Sequence, residues 1–135
     1  MNMKILIPLL IACLLFCGCA IESGQGDKDM DIGYRQITMA EAMEIMERES
    51  GYIILDVRTA EEYAEKHIPN AINVANEDIG TEEIPALPDK DQLILVYCRS
   101  GRRSKEAAAK LVDLGYTNIV EFGGIIDWTG ETVSG

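Results

Sequence analysis

One segment, residues 93–115, constrains this chain more than any other: L-I-L-V-Y-C-R-S-G-R-R-S-K-E-A-A-A-K-L-V-D-L-G. Residues 93–97 are apolar or aromatic without a break, a run of the length of a buried strand. Cys98 follows, then a five-residue loop with Gly101 at its middle. From Ser104 the pattern turns helical, with Ala107, Ala108, Leu111, Val112 and Leu114 spaced by threes and fours. Gly115 marks the stop. The order therefore places a cysteine at the tip of a strand, immediately before a helix N-terminus.

That placement has chemical consequences. The first turn of a helix leaves backbone N–H groups unpaired, and these favour a nearby negative charge. A cysteine in such surroundings is favoured as its nucleophilic thiolate. Arg99, Arg102 and Arg103 add positive charge within five residues, in a chain whose formal net charge is −11. The loop reads as a cradle for an anion with a nucleophilic sulfur inside it. The competing reading, a structural core cysteine beside a charged surface loop, leaves the order strand–Cys–Gly–Arg–helix unexplained.

The other three cysteines fall in the N-terminal stretch, which reads as a secretory signal. A short basic start with Lys4 is followed by an almost wholly apolar run over residues 5–17, too short for a comfortable membrane span. The sequence F-C-G-C-A then sets Gly18 before Cys19 and resembles the processing site of bacterial lipoproteins, in which the cysteine is lipidated and becomes the first residue. Phe16 and Cys17 depart from the usual residues there. A junction at Cys13 and an ordinary cut near Ala20 are the rival readings. Cleavage before Cys19 removes residues 1–18, with Lys4 and no acid, and moves the net charge from −11 to −12. So acidic a chain argues against nucleic acid and against a polybasic membrane contact. Cys98 then has no internal disulfide partner in the fold.

Residues 19–33 are polar, rich in Gly and Asp and without periodicity, and read as a flexible tether. The rest, residues 34–131, is one domain's worth of chain, with residues 132–135 as a tail. Residues 34–37 suit a short edge strand. Thr38 with Glu41, and Thr59 with Glu62, have the spacing of helix capping boxes. The first predicts a helix ending near Ser50 and Gly51, with Met39, Ala42, Met43 and Met46 on a packing face rather than a metal site. The second opens a short helix through Lys66. Between them residues 52–57 form a strand ending in Asp56 and Arg58. We read both as structural supports that pin neighbouring loops; a direct pair requires the chain to turn after Val57. His67, the only histidine, suits a hydrogen-bonded turn better than a catalytic base. A turn into a third strand follows over residues 67–74, and a small helix is predicted over residues 81–87. After Gly115 come a strand over residues 116–122, a Gly123–Gly124 turn and a helical turn in which Ile125, Ile126 and Trp128 cover the sheet. Strands alternating with helices give an α/β fold with a mainly parallel central sheet flanked by helices. The cysteine loop lies at a strand's carboxyl end, where such sheets carry their sites.

Four patches taken together resemble the single-domain rhodaneses, a sulfurtransferase family. They are I-I-L-D-V-R from Ile53 with Glu61, Glu62 and Tyr63; H-I-P-N-A-I-N from His67; C-R-S-G-R-R-S from Cys98; and Gly123–Gly124 with Trp128. The resemblance spans residues 34–131. It implies that Cys98 accepts a sulfane sulfur from thiosulfate or a similar donor. It also implies that Arg99, Ser100, Gly101, Arg102 and Arg103 line the substrate pocket, with Ser104 supporting the loop. The sulfur, carried as a persulfide, would pass to a thiol, cyanide or a partner protein, with no metal and no organic cofactor. Asn70 stands where the family has a small residue, and Glu65–Lys66 where a glycine often precedes the histidine. Phosphatases and arsenate reductases related to this fold carry an arginine six places after the cysteine; here that place is Ser104. A rhodanese-like binding or sulfur-relay module with little free turnover is the non-enzymatic alternative. Together with Cys19, the resemblance implies an exported domain held by a lipid anchor and facing the periplasm or the cell exterior.

Overall fold

The computed structural model describes residues 32–135. The signal, Cys19 and nearly all of the tether lie outside them. Five strands form one fully parallel sheet: β1 (Arg35–Gln36), β2 (Ile53–Asp56), β3 (Ile72–Asn73), β4 (Ile94–Cys98) and β5 (Ile119–Gly124), in the order β1-β5-β4-β2-β3. Three helices accompany it: α1 (Met39–Arg48), α2 (Ala60–Glu65) and α3 (Arg102–Asp113). Single 3₁₀ turns occupy Asn76–Asp78 and Ile125–Asp127. This is the α/β arrangement expected from the alternating pattern.

Side-chain alternation along the strands divides the core in two. Ile94, Val96 and Cys98 of β4 pack with Leu55, Ile119 and the α3 residues Ala107, Ala108 and Leu111. Leu95 and Tyr97 face the other way, against Ile54, Val120, Phe122, Ala42 of α1 and Ile68. All of β4 is buried, which explains its unbroken apolar run. Cys98 is therefore committed to the α3 side, and Tyr97 to the opposite side, before either makes a polar contact.

Both capping boxes form: Thr38 accepts from the N–H of Glu41, and Thr59 from that of Glu62, each glutamate returning the bond. α3 ends in a Schellman motif. The Gly115 N–H donates to Val112 O and the Tyr116 N–H to Leu111 O, with Gly115 at φ +93°. Asn70 sits at φ +68° in the turn after Pro69, closed by a bond from the Ala71 N–H to Ile68 O. Asparagine tolerates that left-handed position, so the departure from a small residue there is accommodated.

Several expectations are corrected. No helix forms over residues 81–87, because Pro85 falls inside it and can neither donate nor avoid the preceding turn; Ile79, Ile84 and Leu87 instead pack individually onto the α3 side of the core. α1 stops at Arg48, with Glu49 as its C-cap, so Gly51 is not its stop. α3 begins at Arg102 rather than Ser104, shortening the loop to residues 99–101. Gly123 and Gly124 are the end of β5, not a turn, and Gly124 pairs with Cys98 across a register shift. Ile125 is buried, but Ile126 is 62% exposed and does not cover the sheet. Finally, the tail does not trail free: Val133 pairs with His67, and the Gly135 N–H donates to Ala64 O.

Candidate active site

Cys98 ends β4 and is 1% exposed. Three residues later Gly101, at φ +108°, reverses the chain and becomes the N-cap of α3. A glycine has no side chain with which to cap the helix, so the α3 N-terminus carries no side-chain cap. The Gly101 N–H instead donates to Cys98 Sγ at 3.0 Å. The sulfur thus sits against a loop amide at an open helix terminus, the position that favours a negative charge.

Beneath the sulfur lies a polar floor. Ser104, in the first turn of α3, places Oγ 3.4 Å from Cys98 Sγ. The same oxygen lies 2.6 Å from Glu121 Oε1 and 2.9 Å from Gly101 O. Glu121 is 3% exposed and also accepts the Gly123 N–H at 2.9 Å. It projects from β5 on the α3 side of the sheet, in register with Val96. The sequence reading missed it. Its signal was a lone acid inside an otherwise apolar strand.

Gly124 supports the loop from below. A Cβ there would land on the Arg99 carbonyl and beside the Ser100 nitrogen, all backbone. The loop can rest on β5 only where the side chain is missing.

The three arginines are not equivalent. Arg102 is exposed and pairs with Glu106 one turn along the helix, at 2.9 Å. Arg103 is clamped by Glu62 of α2 through two bonds, of 2.7 and 3.0 Å. Its guanidinium is held more firmly charged than usual, chiefly by that hydrogen-bonded carboxylate and against the effect of burial. The Glu62 carboxyl is correspondingly lowered to about 2: the Arg103 bond leads, partial burial opposes it, and the Thr59 cap adds to it. Arg99 is exposed and makes no ion pair among the described residues. The structure therefore leaves Arg99 and the exposed Ser100 at the rim, and commits the other two arginines to acids.

Asp56 and Arg58 do pair, since the chain turns after Val57. Asp56 accepts from the Arg58 Nε, Nη2 and backbone N–H, at 2.6 to 3.1 Å. Tyr97 donates to Asp56 at 2.6 Å and accepts the Ile68 N–H, while Arg58 also donates to Lys66 O. Burial first, then the Asp56 bond, pushes the Tyr97 hydroxyl well above its ordinary range. The side-chain bonds of Asp56 and Arg58 run to one another, Tyr97 and Lys66 O, and none runs to Cys98. His67 is 6% exposed, stacked on the Tyr63 ring at 3.7 Å, with Nδ1 2.8 Å from Tyr63 O. Among the described residues no cluster of three His, Cys, Asp or Glu side chains could hold a metal ion.

This geometry has relatives. The chain is 36% identical over 81 residues to the thiosulfate sulfurtransferase PspE of Escherichia coli, covering 60% of this chain and 78% of that one. It is 33% identical over 96 residues to the thiosulfate sulfurtransferase GlpE of Coxiella burnetii, covering 70% and 87%. Among solved structures it superposes on a rhodanese with anions from E. coli with a TM-score of 0.57 at 36% identity, covering 62% of this chain and 99% of that one. The rhodanese-like domain pattern itself matches residues 38–131, strands β2 to β5, the cysteine loop and its supports included, and the chain thus belongs to the rhodanese-like family, with sulfurtransferases among its relatives.

Proposed function

We propose that this protein moves a sulfane sulfur from thiosulfate, or a similar small anion, to a thiol, cyanide or partner protein through a persulfide on Cys98. The observation that carries the reading is the setting of Cys98 Sγ: at the end of β4, bonded to the Gly101 amide, at a helix terminus with no side-chain cap. Support for thiosulfate comes from the names of the two relatives, and support for an anionic donor from the E. coli rhodanese with anions.

The reaction runs in two exchanges. The Cys98 thiolate attacks the outer sulfur of the donor; a new S–S bond forms, the donor's S–S bond breaks, and sulfite leaves with that electron pair. Cys98 then carries a persulfide anion, which loop N–H donors at the α3 terminus stabilise. An acceptor thiolate attacks the terminal sulfur, and Cys98 leaves as thiolate. At 1% exposure Cys98 is reached more readily by a single projecting sulfur than by a tetrahedral phosphoryl group. The short loop, with Ser104 rather than an arginine at the sixth place after the cysteine, favours the same choice. Arg99 at the rim attracts the dianion towards an otherwise acidic domain.

The test is the mass of the Cys98 peptide. Thiosulfate should add one sulfur atom, and cyanide should remove it as thiocyanate. Cys98→Ser should keep the fold and gain nothing; sulfur uptake that persists in Cys98→Ser excludes this mechanism. For localisation we propose export and lipid attachment at Cys19, from the Gly18–Cys19 junction and the polar stretch after it. Cys19→Ala should release the protein from membranes or block its maturation, and a natural mature chain beginning elsewhere excludes the anchor.

A further inference from the structure

Glu121 is a buried carboxylate one hydroxyl removed from the reacting sulfur, and the reaction written above gives it no part. Ser104 has a single hydroxyl proton and three oxygens in reach: Glu121 Oε1 at 2.6 Å, Gly101 O at 2.9 Å and Gly123 O at 3.4 Å. The Glu121 contact is the shortest and falls in the range of a charge-assisted O–H···O⁻ bond. With that proton directed to Glu121, the Ser104 oxygen turns lone pairs towards the sulfur. The Cys98 S–H then donates to it across 3.4 Å. The three groups form a continuous chain from thiol to carboxylate, and each of the three residues is itself no more than 3% exposed.

We propose that Glu121 takes up the Cys98 thiol proton through Ser104, holds it while the sulfur is anionic, and returns it to the Cys98 thiolate after that thiolate has left the second exchange. The inference rests on Cys98 being the sulfur carrier. The transfer balances without any outside reagent. The S–H proton moves to Ser104 Oγ as the Ser104 proton moves to Glu121 Oε1. Thiol and carboxylate become thiolate and carboxylic acid, and the serine ends as it began with its O–H now directed at the sulfur. Net charge in the pocket is unchanged, so no second anion accumulates beside Glu121. That matters because two like charges enclosed together disfavour one another strongly. Glu121 touches neither donor nor acceptor in this scheme; it is a positioning residue that acts through Ser104. The fixed Gly123 N–H bond to Oε1 keeps it aimed.

Glu121→Gln tests this with little change of shape, because the amide oxygen can still accept from Ser104 and from the Gly123 N–H. Two rates are measured at neutral pH: alkylation of Cys98 by iodoacetamide, which needs no sulfur donor, and sulfur uptake from thiosulfate. Both should fall by about tenfold or more, with the KM for thiosulfate nearly unchanged. Ser104→Ala should fall equally, Ser104→Thr should recover most of the rate by restoring a hydroxyl, and the double variant Glu121→Gln/Ser104→Ala should be no slower than either single. A merely structural role predicts instead additive losses that follow melting temperature. Wild-type alkylation in folded Glu121→Gln, or in Ser104→Ala should Glu121→Gln fail to fold, overturns the relay. If alkylation depends on Glu121 while the wild type takes up no sulfur, the relay holds and the sulfurtransferase reading fails.

Discussion

The turns that follow β2 and β4 are neighbours in the sheet and use similar parts to opposite ends. Each leaves a parallel strand at its carboxyl end and enters a helix within a few residues. After β2 the buried side chains bond one another and the helix terminus is capped. Arg58 is consumed by Asp56 and Lys66 O, and Thr59 and Glu62 close the α2 terminus. After β4 the arrangement stays open. Gly101 replaces the capping side chain, its N–H serves a sulfur, and Arg99 stands at the rim with no acid paired to it among the described residues. A strand-to-helix turn becomes a site when its helix terminus is left for something other than the chain itself. The two are also joined, because the glutamate that closes α2 is the one that clamps Arg103.

The closed turn should be the costlier to break. Asp56→Ala leaves the Arg58 guanidinium, 5% exposed in its side chain, without its counter-charge and removes the acceptor of Tyr97. We expect a loss of about 3–5 kcal/mol in urea unfolding, with activity lost only in proportion to unfolded protein. Normal unfolding with lost turnover would move Asp56 into the reaction and dissolve the contrast.

The open turn should break by displacement. Gly124→Ala drives a Cβ into the Arg99 carbonyl, which is backbone and cannot swing aside. The expected cost is about 3 kcal/mol, and sulfur uptake by the folded fraction should disappear because the loop amides leave the sulfur. Gly101→Ala is milder. Its Cβ would meet only ordinary contacts, so the penalty is that of an alanine at φ +108°, about 1–2 kcal/mol. Sulfur uptake should fall more than stability. Equal loss in both would indicate that the Gly101 amide has no special relation to Cys98.

What the sequence makes legible about these two turns follows the range of the interaction. The capping boxes join residues only three apart and read directly, as does the Cys98–helix order. The Schellman stop at Gly115 is equally local. The Arg103–Glu62 clamp joins residues 41 apart, so an arginine cluster that looks like an anion cradle in one dimension proves mostly neutralised in three. Gly124 looks like turn punctuation because its partner is the Arg99 backbone in the loop beyond a neighbouring strand. Glu121 shows as an acid in an apolar run, but the β4–β5 register is needed to set it on the same face as Cys98. Pro85 against the residue 81–87 helix was legible in principle, since the rule that forbids it is local.

The smallest effect separates the two roles of Glu62. Glu62→Gln keeps the capping geometry, because glutamine can also accept from Thr59, and removes the charge that holds Arg103. The pair is partly exposed, with side chains 30% and 24% accessible, so the difference near neutrality should be about 1 kcal/mol or less. Its pH dependence is the sharper readout. The folded-state carboxyl titrates at about 2 against an ordinary 4.5. A depressed acid contributes its full stabilisation above the unfolded value and loses it as pH falls towards the folded one. The melting-temperature gap between wild type and variant should therefore be constant above about pH 5 and shrink below pH 4.5 as the unfolded chain begins to take up the proton. High salt should reduce it throughout. A gap that stays level down to pH 3 would mean that Glu62 acts only as a cap, and that the closed and open turns are not coupled through Arg103.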